Sequence, residues 1–124
     1  MKVISRSLLK CGRSFGHAWQ GIRFAFYTEN NFIYHILATL GILLIGLYLQ
    51  FTSAEWIIII ALIGFVISCE LLNTALEKTV DIISPQQNRL AGTIKDVAAG
   101  AVLIASITAF SIALIIILKH LNNL

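Results

Sequence analysis

Trp56-Ile-Ile-Ile-Ile-Ala-Leu-Ile-Gly-Phe-Val-Ile-Ser-Cys-Glu-Leu-Leu-Asn-Thr-Ala-Leu-Glu-Lys-Thr-Val-Asp81 begins as hydrocarbon and ends in carboxylates. Trp56–Cys69 is uncharged and runs on through Leu71, Leu72 and Ala75. A membrane-spanning helix needs about 20 mostly apolar residues, so this stretch spans only if Glu70 and Asn73 lie inside it. In a continuous helix Glu70, Asn73, Glu77 and Asp81 fall on one stripe, while Leu71, Leu72, Ala75, Leu76 and Val80 cover much of the rest. Ionisable groups within a span are costly and turn to a bundle interior or a wet cavity, so their default reading is a functional site. With a rise of about 1.5 Å per residue, Glu70 lies roughly 21 Å along the helix from Trp56. That depth is inside a hydrocarbon core of about 30 Å, near its boundary, while Glu77 and Asp81 reach the headgroup layer.

Two further runs flank this one. Phe32–Phe51 and Val97–Leu118 carry no charge, so each is long enough to span. Over the 124 residues, 58% are hydrophobic and 12% charged, and the mean hydropathy is +0.88. A soluble domain carries about 25% charged residues, so an ordinary cytosolic enzyme is excluded, as are a disordered chain and a disulfide scaffold. Cys11 and Cys69 form no C-x-x-C and read as inert buried thiols. Met1–Lys10 alternates charged and apolar residues, so no cleavable leader is expected.

The cations set the orientation. Lys2, Arg6, Lys10, Arg13 and Arg23 precede the first span, and Lys78, Arg89 and Lys95 lie between the second and third. Only Lys119 follows the third, so the N-terminus and the Lys78–Lys95 connection are expected on the cytoplasmic side. The net charge of +3 points these cations at anionic headgroups; no nucleic-acid partner is expected. Leu8, Cys11, Phe15, Trp19, Ile22 and Phe26 share one helical face, with Arg6, Lys10, Arg13, His17 and Gln20 opposite. That is a basic helix lying in the membrane interface, its cations meeting lipid headgroups or a nucleotide triphosphate. The expected architecture is therefore all-α and integral to the membrane: an interfacial helix over 5–27 and spanning helices over 32–51, 56–81 and 95–118, one domain over 1–124.

Ser84-Pro85 should end the second spanning helix. Gln86–Gly92 then reads as a polar loop, and the third helix as opening at Lys95-Asp96. Ala98, Ala101 and Ala105 form a small-residue face that permits close helix approach in lipid. Glu29, Glu77, Lys95 and Asp96 come to one level. Such a cluster suits phosphoryl transfer to a lipid alcohol, which needs charge neutralisation and positioning more than covalent chemistry. Glu29 and Glu77 are candidate magnesium ligands, Lys95 a phosphate cation and Glu70 the acceptor of a hydroxyl proton. No G-x-x-x-x-G-K-[ST] loop is present, so a phosphate site would be built from helix faces. Taken singly, Glu77-Lys78 and Lys95-Asp96 also read as interfacial ion pairs, Asn73 as an interhelical hydrogen bond, and His35 and His120 as interfacial residues.

Glu70-Leu-Leu-Asn-Thr-Ala-Leu-Glu-Lys-Thr-Val-Asp81 followed by Lys95-Asp-Val-Ala-Ala-Gly-Ala-Val-Leu103 resembles the signature of the prokaryotic diacylglycerol kinase/undecaprenol kinase family. Ser14-Phe-Gly-His-Ala-Trp-Gln-Gly-Ile-Arg23 and Thr28-Glu29-Asn-Asn-Phe32 fit its N-terminal region. The resemblance implies a small kinase of the bacterial inner membrane, homotrimeric, with sites shared between neighbouring subunits. It would transfer the ATP γ-phosphate to a lipid alcohol with Mg2+. Carried over by position, Glu70 resembles the catalytic base and Asn73 a residue positioning the reacting groups, both at the lipid substrate. Glu29 and Glu77 resemble metal-binding carboxylates. Lys10, Arg13, His17, Glu29, Glu77, Asp81, Lys95 and Asp96 fall in nucleotide-binding positions. Thr28–His35 and Val97–Val102 look more like the undecaprenol kinase branch. Two other classes stay open on the residues alone: a non-catalytic membrane assembly or regulatory subunit, and a proton-coupled transporter or channel.

Overall fold

The computed structural model describes residues 2–86 and 88–122, with side chains from Lys10 onward. The side chains of Arg6 and Leu8, placed on the N-terminal helix faces above, and of Lys2, counted among the orienting cations, lie outside that range. The described chain is helical in four elements: α1 (Lys2–Thr28), α2 (Asn30–Tyr48), α3 (Ser53–Ile83) and α4 (Arg89–Leu121). Helices α2, α3 and α4 are long and apolar enough to cross a membrane, and the protein is a membrane protein. In lipid this is the expected solution, because a helix satisfies its own backbone groups.

Antiparallel α3 and α4 form the main packed unit. The buried stripe of α3 is Glu55, Ile59, Val66, Glu70, Asn73 and Thr74; that of α4 is Ala91, Ala98, Val102, Ala105 and Ile116. Apart from the adjacent Thr74, both advance in steps of three, four, seven or eleven residues, the spacing that keeps one seam on a partner helix. Alanine dominates the α4 seam because apolar burial gives little drive in lipid, and small residues let backbones approach. Ala101, expected on that seam, is exposed, and Val102 takes the place. Helix α4 also starts earlier than Lys95. Asn88 caps it, its Oδ1 accepting from Ala91 N at 2.7 Å, so Arg89–Gly92 is helix and the connection shrinks to residues 84–88. Cys11 is exposed on α1 and Cys69 is half-buried; both are free thiols, and the expected burial fails for Cys11.

Helix α2 ends at Tyr48, short of the expected Phe51. Gln50 is left-handed, with φ 56°, Phe51 N donates to Gly46 O at 3.0 Å and Gln50 N to Leu47 O at 3.4 Å. This closing pattern satisfies the last carbonyls and normally takes glycine at the left-handed position. The turn folds Phe51 onto Gly46, where an added Cβ would stand 2.8 Å from both Phe51 Cδ2 and Trp56 Cη2. Phe51 then packs with Ile59 and Ile116 as the core, extended by Ile42, Ile63 and Ile112.

A polar clamp closes the same end. Thr52 caps α3, its hydroxyl accepting from Glu55 N at 3.3 Å while Glu55 Oε2 accepts from Thr52 N at 2.8 Å. Glu55, 6% exposed, also takes Lys119 Nζ and His120 Nε2, each at 2.9 Å. An acid in the first turn of α3 and cations in the last turn of α4 each suit the local helix dipole. Thr52-Ser-Ala-Glu55 is the capping-box pattern, legible in the sequence. His120, which reads as interfacial from the sequence, is here a clamp member and stacks near the Phe51 ring.

Two stability measurements check this corner. Gly46→Ala should lower the unfolding midpoint in detergent, by about 1–3 kcal/mol of stability, because both rings must move. Gln50→Gly should raise it, by about 1 kcal/mol at most, because the left-handed backbone no longer carries a Cβ.

Candidate functional site

At the other end of the bundle α3 runs unbroken through the stripe read from the sequence. Glu70 is 2% and Asn73 7% exposed, Glu77 is half-buried and Asp81 exposed. Asn73 Nδ2 donates to Glu77 Oε1 at 3.0 Å, one turn on. Its amide oxygen is buried with no hydrogen-bond partner, a condition that costs about 1–3 kcal/mol. Thr74 spends its hydroxyl on Glu70 O within the helix.

Neighbouring helices bring the remaining groups. Glu29 occupies the break between α1 and α2 in an extended conformation, φ −114° and ψ 113°. That break aims its carboxylate at α3, where Oε1 meets Lys78 Nζ at 2.9 Å. Edge-to-face packing of Phe26 on Phe32 brackets the bend. From α4, Lys95 reaches Asp81 as an ion pair and hydrogen bond. Thus Lys78 pairs with Glu29 and Lys95 with Asp81, and neither with its sequence neighbour. Glu29 and Glu77 both lie within electrostatic reach of Glu70.

His35 also belongs to the cluster. It lies on α2 with its side chain 20% exposed, Nε2 3.8 Å from Glu70 Oε2. The sequence marks His35 only as a polar residue near a span end; what it misses is that α2 lies beside Glu70. No spacing in the sequence signals this, because only the packing of α2 beside α3 brings His35 to Glu70. Toward the membrane interior, His35, Thr39 and Ser106 join Ile42, Ile59 and Val66 around a cavity of about 150 Å³. It exists because α2 is buried only at Phe32 and Gly46, near its two ends.

The sequence-predicted residues divide cleanly. Glu29, Glu70, Asn73, Glu77, Asp81 and Lys95 gather at one end of the bundle. Lys10, Arg13 and His17 are exposed on α1 and form no ion pair among the described residues, and exposed Asp96 forms none either. α1 approaches α3 through Ala18, Gly21, Ile22 and Ala25, beside Leu71, Ala75 and Lys78. Phe15 and Trp19 stay exposed, as lipid-facing side chains of an interfacial helix would. Among the described residues no three His, Cys, Asp or Glu side chains converge as a ready-made metal site.

Fold and site together define a small helical membrane protein with an acidic, lysine-flanked cluster at one end of three apolar helices. Residues 16–117 match the model of the prokaryotic diacylglycerol kinase family. The chain is 43% identical over 109 residues to the undecaprenol kinase of Bacillus subtilis (strain 168), covering 88% of this chain and 89% of that one. It is 32% identical over 105 residues to the diacylglycerol kinase of Escherichia coli (strain K12), covering 85% and 86%. It is 35% identical over 112 residues to the diacylglycerol kinase of Synechocystis, covering 90% and 64%. The chain belongs to the prokaryotic diacylglycerol kinase family and is a lipid kinase.

The Lys95–Asp81 pair is largely exposed, and exposed pairs contribute about 0–1 kcal/mol. Lys95→Gln should therefore leave the unfolding midpoint close to wild type. A large drop would make the lysine structural.

Proposed function

We propose that the chain phosphorylates undecaprenol with ATP and Mg2+ at the cytoplasmic face of the bacterial inner membrane, giving undecaprenyl phosphate. The observation that carries this is Glu70, 2% exposed inside an apolar bundle. A carboxylate at that depth needs a purpose, and accepting a proton from a hydroxyl held in the bilayer supplies one. The acceptor hydroxyl oxygen forms a bond to the γ-phosphorus, the bond from that phosphorus to the β,γ-bridging oxygen breaks, and ADP leaves. The hydroxyl proton passes to the Glu70 carboxylate. Asn73, held by its bond to Glu77 and carrying a free buried amide oxygen, orients the reacting groups.

Glu29 and Glu77 would hold Mg2+. Glu29 from the α1–α2 break and Glu77 from α3 are oxygen donors, and the unpartnered Asn73 oxygen adds another, which suits a hard cation once Lys78 leaves Glu29. Two carboxylates suffice, since Mg2+ commonly completes its shell with phosphate oxygens and water. When bound, the ion neutralises charge on the β- and γ-phosphates. Lys95, freed from Asp81, and Lys78, freed from Glu29, are the cations within the cluster available to the same phosphates. Asp81 and Asp96 frame the nucleotide side. Lys10, Arg13 and His17 approach the nucleotide by a shift of α1 or from a neighbouring copy. This accords with assembly as a homotrimer.

Undecaprenol is preferred over diacylglycerol because of the higher identity to the Bacillus subtilis protein and the branch features of Thr28–His35 and Val97–Val102. Purified protein offered both lipids with γ-labelled ATP decides this; label mainly in phosphatidic acid would make diacylglycerol the acceptor. Label in neither lipid would favour a non-catalytic membrane subunit.

Glu70→Gln should transfer no detectable phosphate yet unfold no earlier than wild type. It removes a buried charge crowded by Glu29 and Glu77 while keeping the side-chain volume. Wild-type turnover in that variant would remove Glu70 as the base. Cysteines placed singly at Ser53 and Gln86 should label from opposite sides of sealed vesicles, position 86 from the cytoplasm.

A further inference from the structure

Among the ion-paired side chains at the acidic end, His35 alone has no part in the proposed reaction. Its imidazole borders a mainly apolar cavity, a costly position for a polar ring unless a partner compensates. Among the described residues the one charged group in ion-pair range is Glu70, with Nε2 3.8 Å from Oε2. The two come from different helices, α2 and α3, so nothing local imposes the contact. Its distance makes it electrostatic, not a formed hydrogen bond. A small rotation of either side chain would close it.

We infer that His35 is a positioning residue for Glu70: its Nε2–H holds Oε2, so that Oε1 is the oxygen presented to the acceptor hydroxyl. This rests on the proposed reaction and adds to it a residue of α2 that sets the geometry of the base. The ring also borders the cavity on the membrane side of Glu70, at the position from which a lipid hydroxyl would approach. His35 therefore touches both the base and the space beside it, whereas Thr39 and Ser106 line only the space. A general base works only within hydrogen-bond reach of the proton it takes. A carboxylate free to rotate in an apolar pocket spends less time there.

The test compares His35→Ala, His35→Gln and Ser106→Ala in detergent with mixed lipid and labelled ATP. His35→Ala should lower kcat about tenfold, the scale of losing an outer-shell orienting partner. KM for ATP should stay within about twofold, because no nucleotide contact is lost. His35→Gln, which keeps an N–H donor, should recover much of the rate, and Ser106→Ala should keep wild-type kcat. Wild-type kcat in His35→Ala would overturn the inference. So would no recovery in His35→Gln, or an equal loss in Ser106→Ala, which would assign the effect to cavity packing. The contact can also be read without turnover. In 15N-histidine-labelled protein, the His35 ring resonances should shift on Glu70→Gln and hold on Ser106→Ala. Unmoved resonances would overturn the inference whatever the lipid assay shows. Wild-type protein that labels no lipid would instead sink the proposed reaction, leaving the resonance shift to decide the contact.

Discussion

A carboxylate cannot be placed among lipid tails without compensation, and the structure is organised around one that is. Glu70 sits on the seam where α3 meets the alanine-rich face of α4, with His35 of α2 beside it. Burial of an unpaired charge costs several kcal/mol, so the fold must surround Glu70 with dipoles, a cation or a substrate. The placement of α2 answers that demand by bringing His35 within 3.8 Å. The small residues of α4 let that helix close over the seam.

The bundle divides its charges between two ends of different character. At one end Glu55 is satisfied by Thr52, Lys119 and His120. At the other, Asn73 keeps a buried oxygen without a partner, and Lys78 and Lys95 each hold a carboxylate that phosphate oxygens could displace. A saturated network rigidifies, while an incomplete one has capacity for a ligand. The contrast leaves the first end saturated and the second with capacity to spare.

Much of this is legible in the residues. The three apolar runs, the Glu70–Asp81 stripe and the helix stop before Pro85 are periodicity and composition, and the folded chain keeps them. Element ends are less legible. Asn88 starts α4 six residues before the expected helix because a side-chain cap outweighs a run of polar residues. The turn at Gln50 is hidden because a left-handed glutamine leaves no glycine signal. Pairing between helices is not legible at all. Lys78 and Lys95 look like partners of Glu77 and Asp96, yet side chains adjacent in sequence point apart on a helix, and tertiary packing chose Glu29 and Asp81. His35 escapes for the same reason, since only the placement of α2 against α3 gives it a neighbour.

The Glu55 clamp fastens the first turn of α3 to the last turn of α4. With that end fastened, α3 and α4 resist sliding lengthwise past one another, and Glu70 keeps its place opposite the small residues of α4. Its offset from Glu55 along α3 is then a property of the protein and not of the bilayer around it.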